Sequence, residues 1–295
     1  MRIGVIGGGS IGLLFAYYFS FHHHVTVVVR REEQAKSIRQ NGISLLVDGK
    51  QYSAKPEVSV GLESDFDLLF VAVKQHQIAT VLSELENKAP VQIMFLQNGM
   101  AHTSLLEDWN VNHHLYVGAV EHGAIKENDY TVQHTGKGIV KWSAFRADRA
   151  ERLKKDLEAV HQSFPFLWQD DWYQMLAGKL IINACINPLT ALLKVKNGKL
   201  IEEPMYLAFM KFVFAETSRI LAIENPQKAW ENVLSVCRKT RSNTSSMLVD
   251  IQAERTTEAD AIMGYLLNQA KKSGHSTPHL TFLYDSIKSL EKVSS

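Results

Sequence analysis

Residues 2–12 read Arg-Ile-Gly-Val-Ile-Gly-Gly-Gly-Ser-Ile-Gly, an apolar, β-branched run that leads directly into a glycine-rich turn. The glycines at positions 7, 9 and 12 have the spacing G-x-G-x-x-G, which predicts a dinucleotide-binding turn when it follows a strand and opens a helix. Gly7 would allow the tight turn, Gly9 would let the backbone approach a pyrophosphate, and Gly12 would let helix and strand pack closely. The N-terminus of the helix that begins at Ser10 would offer free N–H groups to the phosphates.

The end of the second predicted strand indicates which dinucleotide would bind. The strand Val25–Arg30 ends in a basic residue and is followed by Arg31, Glu32 and Glu33. A guanidinium suits a ribose 2′-phosphate because it donates charge-assisted and often bidentate hydrogen bonds. An NAD site usually has an acidic residue here, and either glutamate could serve a ribose if the strand were longer. The basic pair favours NADP, the alternative being that all four residues form the solvated start of a helix.

Short apolar runs alternate with helical patterns through the first half of the chain, which predicts a parallel sheet covered on both faces by helices. We expect strands at 2–6, 25–30, 67–73 and 91–96, a hairpin at 43–54 around Asp48-Gly49, and further strands within 115–143. Helices are expected at 10–20, 32–41, 76–87 and 147–162.

The pattern changes after Phe164-Pro165, because the chain from about Asp171 to Leu290 has helical periodicity and shows no convincing strand. Helices are expected at 171–187, 204–223, 226–240, 258–273 and 279–291. We therefore predict an α/β protein with an N-terminal Rossmann-type dinucleotide-binding domain, residues 1–167, followed by an all-α C-terminal domain for substrate binding and catalysis, residues 168–295.

Composition and charge exclude several classes of protein. The chain has 295 residues, of which 45% are hydrophobic and 21% charged, as in an average globular protein. A net charge of +1 predicts no electrostatic footprint for nucleic acid or for an anionic membrane. No apolar run reaches the roughly 18 residues of a membrane span. The two cysteines and the histidine runs form no pattern of metal ligands, so we expect no metal. Two cysteines also make no disulfide framework and suit a reducing compartment, so we expect a cytoplasmic protein.

Lys179, Asn183 and Asn187 are spaced i, i+4 and i+8, which places them on one face of a helix. The residues between them are apolar, so the helix must be largely buried and its polar stripe must find partners or face a cavity. A lysine in this setting can be a general acid, and asparagine amides can bind hydroxyls and carbonyls. The stripe favours a small-molecule site over a purely structural network.

Five blocks of sequence share a common pattern with a known family. They are the glycine-rich turn with Arg30, Val73-Lys74-x-x-Gln77, Gln97-Asn98-Gly99-Met100, Lys179-x-x-x-Asn183-x-x-x-Asn187-Pro188-Leu189-Thr190, and Ser245-Ser246-Met247-Leu248-x-Asp250 followed by Arg255-x-x-Glu258. In this order and at these separations, they resemble the ketopantoate reductase family (2-dehydropantoate 2-reductase) over essentially the whole chain.

The resemblance implies NADPH-dependent reduction of the 2-keto group of ketopantoate to give pantoate, on the route to pantothenate and coenzyme A. It implies that Lys179 is the general acid and that Glu258 assists the substrate and the ternary complex. It implies substrate-binding roles for Asn98, Asn183, Asn187 and Ser246. It implies cofactor-binding roles for Gly7, Gly8, Gly9, Ser10, Ile11, Gly12, Arg30, Lys74, Gln77, Asn98 and Glu258.

The chain also departs from the family pattern. Ala177 stands where the family usually has tryptophan, and the stretch Gly118–His122, expected as a loop, lacks small hydroxyl residues. These departures leave open a related NADP-dependent reductase of another 2-keto acid or hydroxyacid.

Other interpretations concern single residues and the assembly. A non-catalytic NADP-binding sensor is an alternative, although it would not need Lys179 as a proton donor. Glu258 could be a first-turn acid favoured by the helix dipole, and Ser245-Ser246 could be a helix cap. The apolar C-terminal helices would permit a homodimer.

Overall fold

The computed structural model describes residues 1–62, 65–147, 150–158, 160 and 164–293. It contains two compact units. The first comprises Met1–Gln97 and Glu107–Met175, and the second comprises Asn98–Leu106 and Leu176–Ser295. The segment Asn98–Leu106 therefore packs with the second unit, although the first unit flanks it on both sides in the sequence. The assignment of cofactor to residues 1–167 and of substrate to residues 168–295 stays a prediction.

All the strands belong to the first unit within the described residues. They are β1 (Arg2–Ile6), β2 (His24–Val29), β3 (Ile43–Val47), β4 (Lys50–Ala54), β5 (Glu57–Val60), β6 (Leu68–Val71), β7 (Gln92–Phe95), β8 (His114–Val120), β9 (Gly123–Lys126), β10 (Thr131–Gly136), β11 (Val140–Arg146) and β12 (Phe166–Trp168).

The helices cover the sheet of the first unit and build the second. They are α1 (Ser10–Phe19), α2 (Glu32–Asn41), α3 (Ile78–Leu85), α4 (Ala101–Asp108), α5 (Ala150–Glu158), α6 (Trp172–Leu193), α7 (Lys199–Glu202), α8 (Pro204–Ile220), α9 (Pro226–Lys239), α10 (Ser246–Gln252), α11 (Tyr265–Ser273) and α12 (Pro278–Val293). The predicted α/β fold with a helical C-terminal part is confirmed.

The main sheet has eight strands in the order β12-β11-β8-β7-β6-β1-β2-β5, and only the pair β8–β11 is antiparallel. The strands are apolar because helices cover both faces: Ile3, Val5 and Phe70 are fully buried. The direction of chain order changes at β1, which lies between β2 and β6. In open α/β sheets, ligands bind at the carboxyl ends of the strands at such a point.

A second, four-stranded sheet in the order β4-β3-β10-β9 is a feature that the sequence did not predict. The hairpin β3–β4 is confirmed, and Asp48 (φ 52°) and Gly49 (φ 73°) form its two-residue turn. Strand β10 pairs with β3, with Thr131 opposite Ser44, and β9 pairs in turn with β10. Local sequence patterns carry no information about pairing between segments so far apart in the chain.

Two histidines connect α1 with this small sheet. The Tyr18 hydroxyl lies 2.9 Å from His134 Nδ1, and His134 Nε2 lies 3.1 Å from His122 Nδ1. The Gly138 amide donates to the same His122 Nδ1 at 3.1 Å, so that nitrogen is an acceptor and His134 donates to it. His122 also stacks on Phe164, with 4.1 Å between the ring centroids. Burial, together with the neighbouring His134, lowers the pKa of His122 to about 4.

Several boundaries differ from the predicted ones. The helix predicted at 147–162 is observed as α5, and residues 148–149, 159 and 161–163 lie outside the described part of the chain. The edge strands β5 and β12 were missed because each has at most four residues. The expected loop at Gly118–His122 is wrong in its first three residues, which belong to β8. Gly118 pairs with Trp142 there, and a side chain at Gly118 would meet Leu96.

Helix α6 continues past Pro188 to Leu193, whereas the prediction ended it at residue 187. Proline removes one backbone donor, but the nearest apolar residues on either side of it in the sequence are buried. Thr190 also donates its hydroxyl to the Ile186 carbonyl at 2.8 Å. By length and composition α6 could cross a membrane, yet 61% of its most apolar window is buried inside the protein. This burial is typical of the core helix of a globular protein.

Candidate active site

The glycine-rich turn connects β1 with α1 at the carboxyl edge of the main sheet. Gly7 has φ +112°, a conformation that favours glycine, and a side chain there would press on the Ala72 backbone. A side chain at Gly12 would overlap the Gly7 carbonyl oxygen, so helix and turn pack as closely as the sequence predicts. A side chain at Gly9, in contrast, would meet nothing within 4 Å.

The open space at Gly9 lies at the N-terminus of α1. Gly9 is the N-cap, no side chain caps the helix, and no acidic residue lies in its first turn. The N–H groups of Ser10, Ile11 and Gly12 have no partner within the helix, because the first turn of any helix leaves them unpaired. A pyrophosphate requires unpaired backbone amides next to open space, and the lack of a side chain at Gly9 leaves that space open. These residues therefore fit a dinucleotide.

Arg30 follows β2 directly and is exposed. The Gln77 amide oxygen, oriented to satisfy its hydrogen bonds, accepts from the Arg30 guanidinium at 3.3 Å from Nη1 and 2.5 Å from Nη2. Two residues that the sequence assigned separately to the cofactor therefore lie together. Lys74 also belongs to this region, since it precedes the short 3-10 turn Gln75–Gln77 and is exposed.

The other charged residues after β2 have partners of their own. Arg31 pairs with Asp129 at 2.5 Å, and Glu32 pairs with Arg39 at 2.8 Å. Glu32 and Glu33 both lie in the first turn of α2, where the helix dipole favours acidic residues. The alternative that Glu32 binds a ribose is therefore disfavoured, because Arg39 already pairs with it. Arg30, in contrast, pairs with no carboxylate in the described part of the chain.

Gln34 also holds the glycine-rich turn, although no sequence pattern pointed to it. Its buried side-chain amide donates to the Gly8 carbonyl at 2.8 Å and to the Asp129 carbonyl at 3.0 Å. It thereby fixes Gly8 from the side of α2. No motif could have revealed it, because a single glutamine within a helix has no distinctive spacing.

In the second unit, three predicted site residues from distant segments form one hydrogen-bonded series. Lys179 Nζ donates to Asn98 Oδ1 at 2.6 Å, and Asn98 Nδ2 donates to Glu258 Oε2 at 2.8 Å. All three side chains are half-buried. An amide between an ammonium and a carboxylate satisfies both, because its oxygen accepts while its nitrogen donates. This arrangement fixes the orientation of the Asn98 amide.

Backbone packing holds Asn98 beside Glu258. Gly99 has φ +80°, and a side chain there would overlap the Ala261 carbonyl oxygen. Ala261 lies in a single π-helical turn, Asp260–Gly264, that begins two residues after Glu258. Such turns are rare and occur frequently at functional sites. Glycine at position 99 is therefore required for the close approach of the two segments.

The remaining predicted substrate residues lie along α6 and at the start of α10. Asn183 and Asn187 follow Lys179 on α6 and are half-buried. Ser245 is the cap of α10, since its hydroxyl accepts from the Leu248 amide at 3.2 Å, and Ser246 is exposed beside it. The Ser245 and Thr190 hydroxyls lie 2.7 Å apart, which ties the start of α10 to the C-terminal half of α6.

No cluster of three or more histidine, cysteine, aspartate or glutamate side chains is arranged to hold a metal ion, within the residues that the structure describes. Cys185 and Cys237 are both buried free thiols, and burial raises the pKa of each, of Cys237 to about 11.

The sheet, the glycine-rich turn and the uncapped helix define the class of the protein, a dinucleotide-binding protein with a separate helical unit. Comparisons with known proteins make this more specific. The family model Ketopantoate reductase PanE/ApbA matches residues 3–147, and the model Ketopantoate reductase PanE/ApbA C terminal matches residues 171–291. The chain belongs to the ketopantoate reductase family.

Individual proteins are similar over the same length. A 2-dehydropantoate 2-reductase from Bacillus subtilis (strain 168) is 55% identical over 292 residues, which cover 99% of this chain and 98% of that protein. The crystal structure of a probable 2-dehydropantoate 2-reductase from Bacillus subtilis has a TM-score of 0.93 at 55% identity and covers 98% of this chain and 100% of that one. D-mandelate dehydrogenase with NADH and anilino(oxo)acetate has a TM-score of 0.90, with 100% and 99% coverage, but at 23% identity it shows only a shared fold.

Proposed function

We propose that this protein reduces 2-dehydropantoate (ketopantoate) to pantoate with NADPH, as a step in pantothenate synthesis. The observation that carries the proposal is the series Lys179–Asn98–Glu258, in which a proton donor and a carboxylate are joined by one amide. The relative at 55% identity, named 2-dehydropantoate 2-reductase, supports the choice of substrate.

NADPH, when bound, supplies a hydride to the ketone carbon C2. The developing alkoxide needs a proton, and Lys179 is the general acid that provides it. An ammonium has three donors, so Lys179 can hold Asn98 and donate to a substrate oxygen at the same time. A positioned general acid contributes about a hundredfold to ten-thousandfold to the rate. Asn98 keeps the lysine in place.

Glu258 has a second oxygen that can accept a hydrogen bond from a substrate hydroxyl or a ribose hydroxyl. Asn183 and Asn187 lie one and two turns beyond Lys179 and bind the hydroxyl and carboxylate ends of the substrate, together with Ser246. Substrate-positioning groups of this kind supply much of the rate by orienting the reacting atoms.

Most of the proposed cofactor residues belong to the first unit. The backbone of Gly7, Gly8, Gly9, Ser10, Ile11 and Gly12 would hold the pyrophosphate, with the open space at Gly9 leaving room for it. Arg30 would bind the 2′-phosphate, and its hydrogen bond with Gln77 orients the guanidinium. Lys74 would lie near the nicotinamide ribose. Asn98 and Glu258 are the remaining residues proposed to contact the cofactor. This division assigns residues 1–167 to NADP and residues 168–295 to substrate and catalysis.

The initial rate of NADPH oxidation with ketopantoate tests the proposal, measured beside NADH and beside simpler 2-keto acids. We expect turnover with ketopantoate and NADPH to exceed every other pair. Turnover with another 2-keto acid instead would identify the chain as a related reductase with a different pocket, and the stretch around Glu121 is the first place to examine. NADPH binding with no turnover on any keto acid would indicate a non-catalytic sensor.

We also propose a cytoplasmic location and a homodimer. Two buried free thiols suit a reducing compartment. Met205 and Phe212 on α8 and Phe282 on α12 are 78%, 54% and 55% exposed, and a second copy could cover these apolar side chains. Light scattering of the purified protein measures the oligomeric state; a monomer at all concentrations would contradict the homodimer.

A further inference from the structure

The C-terminal helix α12 presents three polar side chains at spacings i, i+4 and i+7: Tyr284, Lys288 and Glu291. Residues at these spacings lie on one face of a helix. All three contact the short segment Thr257–Asp260, which carries Glu258. No sequence pattern pointed to a role for any of them.

Glu291 holds the residue immediately before Glu258. Its Oε1 accepts from the Thr257 amide at 2.8 Å and from the Thr257 hydroxyl at 2.6 Å. The Thr257 hydroxyl in turn accepts from the Ala259 amide at 3.1 Å. The backbone on both sides of Glu258 is therefore tied to one carboxylate through one threonine.

The Glu291 carboxylate is only 11% exposed and has a charged partner, because Lys288 Nζ lies 2.6 Å from its Oε2. Burial by itself would raise the pKa of Glu291, but the hydrogen bonds from Lys288 and from the side chain and backbone of Thr257 outweigh it and lower the pKa. Glu291 is consequently charged at neutral pH, and a charged acceptor makes the stronger hydrogen bond.

The other side of Glu258 is held by the same helix. The Tyr284 hydroxyl donates to Asp260 Oδ1 at 2.6 Å, and Lys288 Nζ donates to Asp260 Oδ2 at 3.2 Å. Ala261, the residue that follows this segment, approaches Gly99 closely. The segment is thus held by α12, and the next residue meets the one that follows Asn98.

We propose that Glu291 is a positioning residue, which holds Thr257 so that Glu258 keeps its hydrogen bond to Asn98 and thereby orders the series that ends at Lys179. The inference rests on the proposed function, in which Glu258 and Asn98 contact substrate or cofactor. It predicts that α12 affects turnover although Glu291 itself touches no reacting atom.

Kinetics of Glu291→Ala test the proposal, with Asp285→Ala as the matched control, because Asp285 is an exposed carboxylate on the same helix. We expect Glu291→Ala to lower kcat/KM for ketopantoate by about tenfold through misplacement of Glu258. The Kd for NADPH, read by fluorescence, should stay within about twofold, because the main cofactor contacts lie in the first unit. Asp285→Ala should match the wild type.

Coupling to Glu258 separates positioning from a general structural role. In a Glu258→Ala background, adding Glu291→Ala should cost less than about twofold, since Glu291 acts through a side chain that is already absent. An equal loss in both backgrounds would overturn the proposal, and so would unchanged kinetics of the single variant. If Glu291→Ala folds poorly, Glu291→Gln keeps an acceptor oxygen and should retain part of the activity, whereas Thr257→Val should reproduce the loss.

A readout independent of activity keeps the two proposals distinguishable. If the wild-type protein reduces no ketopantoate, the proposed function fails, and amide hydrogen exchange then tests the positioning alone. We expect the amides of residues 257–264 to exchange faster in Glu291→Ala than in Asp285→Ala, with no change in the glycine-rich turn. Equal exchange in the two variants would show that Glu291 does not hold this segment.

Discussion

Lys179 and Asn98 are 81 residues apart in the sequence, yet Lys179 Nζ lies 2.6 Å from Asn98 Oδ1. The contact forms within one compact unit, because the segment Asn98–Leu106 packs with the helices that follow residue 176. Asn98 therefore belongs to the same compact unit as the lysine, and its amide is oriented by a positively charged partner at its oxygen and a negatively charged partner at its nitrogen.

Replacement of Asn98 tests this link. Asn98→Ala removes the acceptor of Lys179 and the donor to Glu258 in one step, and we expect kcat to fall by about tenfold to a hundredfold. Thermal unfolding should shift only modestly, because the two hydrogen bonds of Asn98 join half-buried charged groups that water can solvate in the variant. Full activity of Asn98→Ala would contradict a positioning role for the amide.

Lys179→Ala removes the proposed general acid. Turnover of ketopantoate should fall by about a hundredfold to ten-thousandfold, while the affinity for NADPH is retained. Lys199→Ala is the matched control, because Lys199 is exposed and pairs with Glu202 on its own helix. Equal activity of the two variants would favour a non-catalytic protein.

The choice between NADPH and NADH depends on Arg30. We expect Arg30→Ala to lower the preference for NADPH by about tenfold to a hundredfold, the amount that loss of charge-assisted hydrogen bonds implies. Arg31→Ala removes an equal charge from the next residue, which pairs with Asp129. The ratio of kcat/KM for NADPH to that for NADH should change in Arg30→Ala but not in Arg31→Ala. A comparable change in Arg31→Ala would mean that net charge, and not a contact made by Arg30, sets the preference.

The glycines at 9 and 12 should respond oppositely to alanine. Gly12→Ala drives a methyl group into the Gly7 carbonyl, and overpacking of this kind costs about 1–3 kcal/mol of stability. Gly9→Ala projects into open space, so unfolding by urea should change by less than about 0.5 kcal/mol. Titration with NADPH should nevertheless show clearly weaker binding to Gly9→Ala; normal affinity would mean that the pyrophosphate lies elsewhere.

The histidine pair predicts how stability depends on pH. His122 has a pKa of about 4 in the folded protein and an ordinary value of 6.5. Between these values the unfolded chain binds more protons, so the free energy of unfolding decreases as the pH falls from about 6.5 to about 4. His122→Asn keeps an acceptor for the Gly138 amide but does not titrate. Urea unfolding across this range should show a shallower pH dependence in the variant, and an unchanged slope would exclude His122 as a source.

Local patterns predicted most of the fold and part of the site. The glycine spacing, the β-branched runs and the stripe from Lys179 to Asn187 are all encoded within about ten neighbouring residues, so they can be recognised in one dimension. The pairing of Asn98 with Glu258 spans 160 residues and depends on the contact of Gly99 with Ala261. Only the resemblance to a family placed both residues in one site, and no spacing pointed to Glu291.

At Pro188 a local pattern led to a wrong prediction, the end of a helix at residue 187. A proline is a sound reason to end a helix in a sequence, yet α6 continues for five residues beyond it because its surroundings are apolar and tightly packed. Tertiary packing overrides local propensity in such places, and a single sequence does not reveal where.

The division of the chain into units has a consequence for synthesis on the ribosome. Residues 98–106 leave the ribosome about seventy residues before α6, and Met100 within them is fully buried in the finished protein. Until the helices of the second unit emerge, this segment lacks the compact unit to which it belongs in the finished protein, and Met100 cannot reach its buried position there. A fragment that ends at residue 175 would keep the segment, and a fragment that begins at residue 176 would lack it, so no single cut separates the two units.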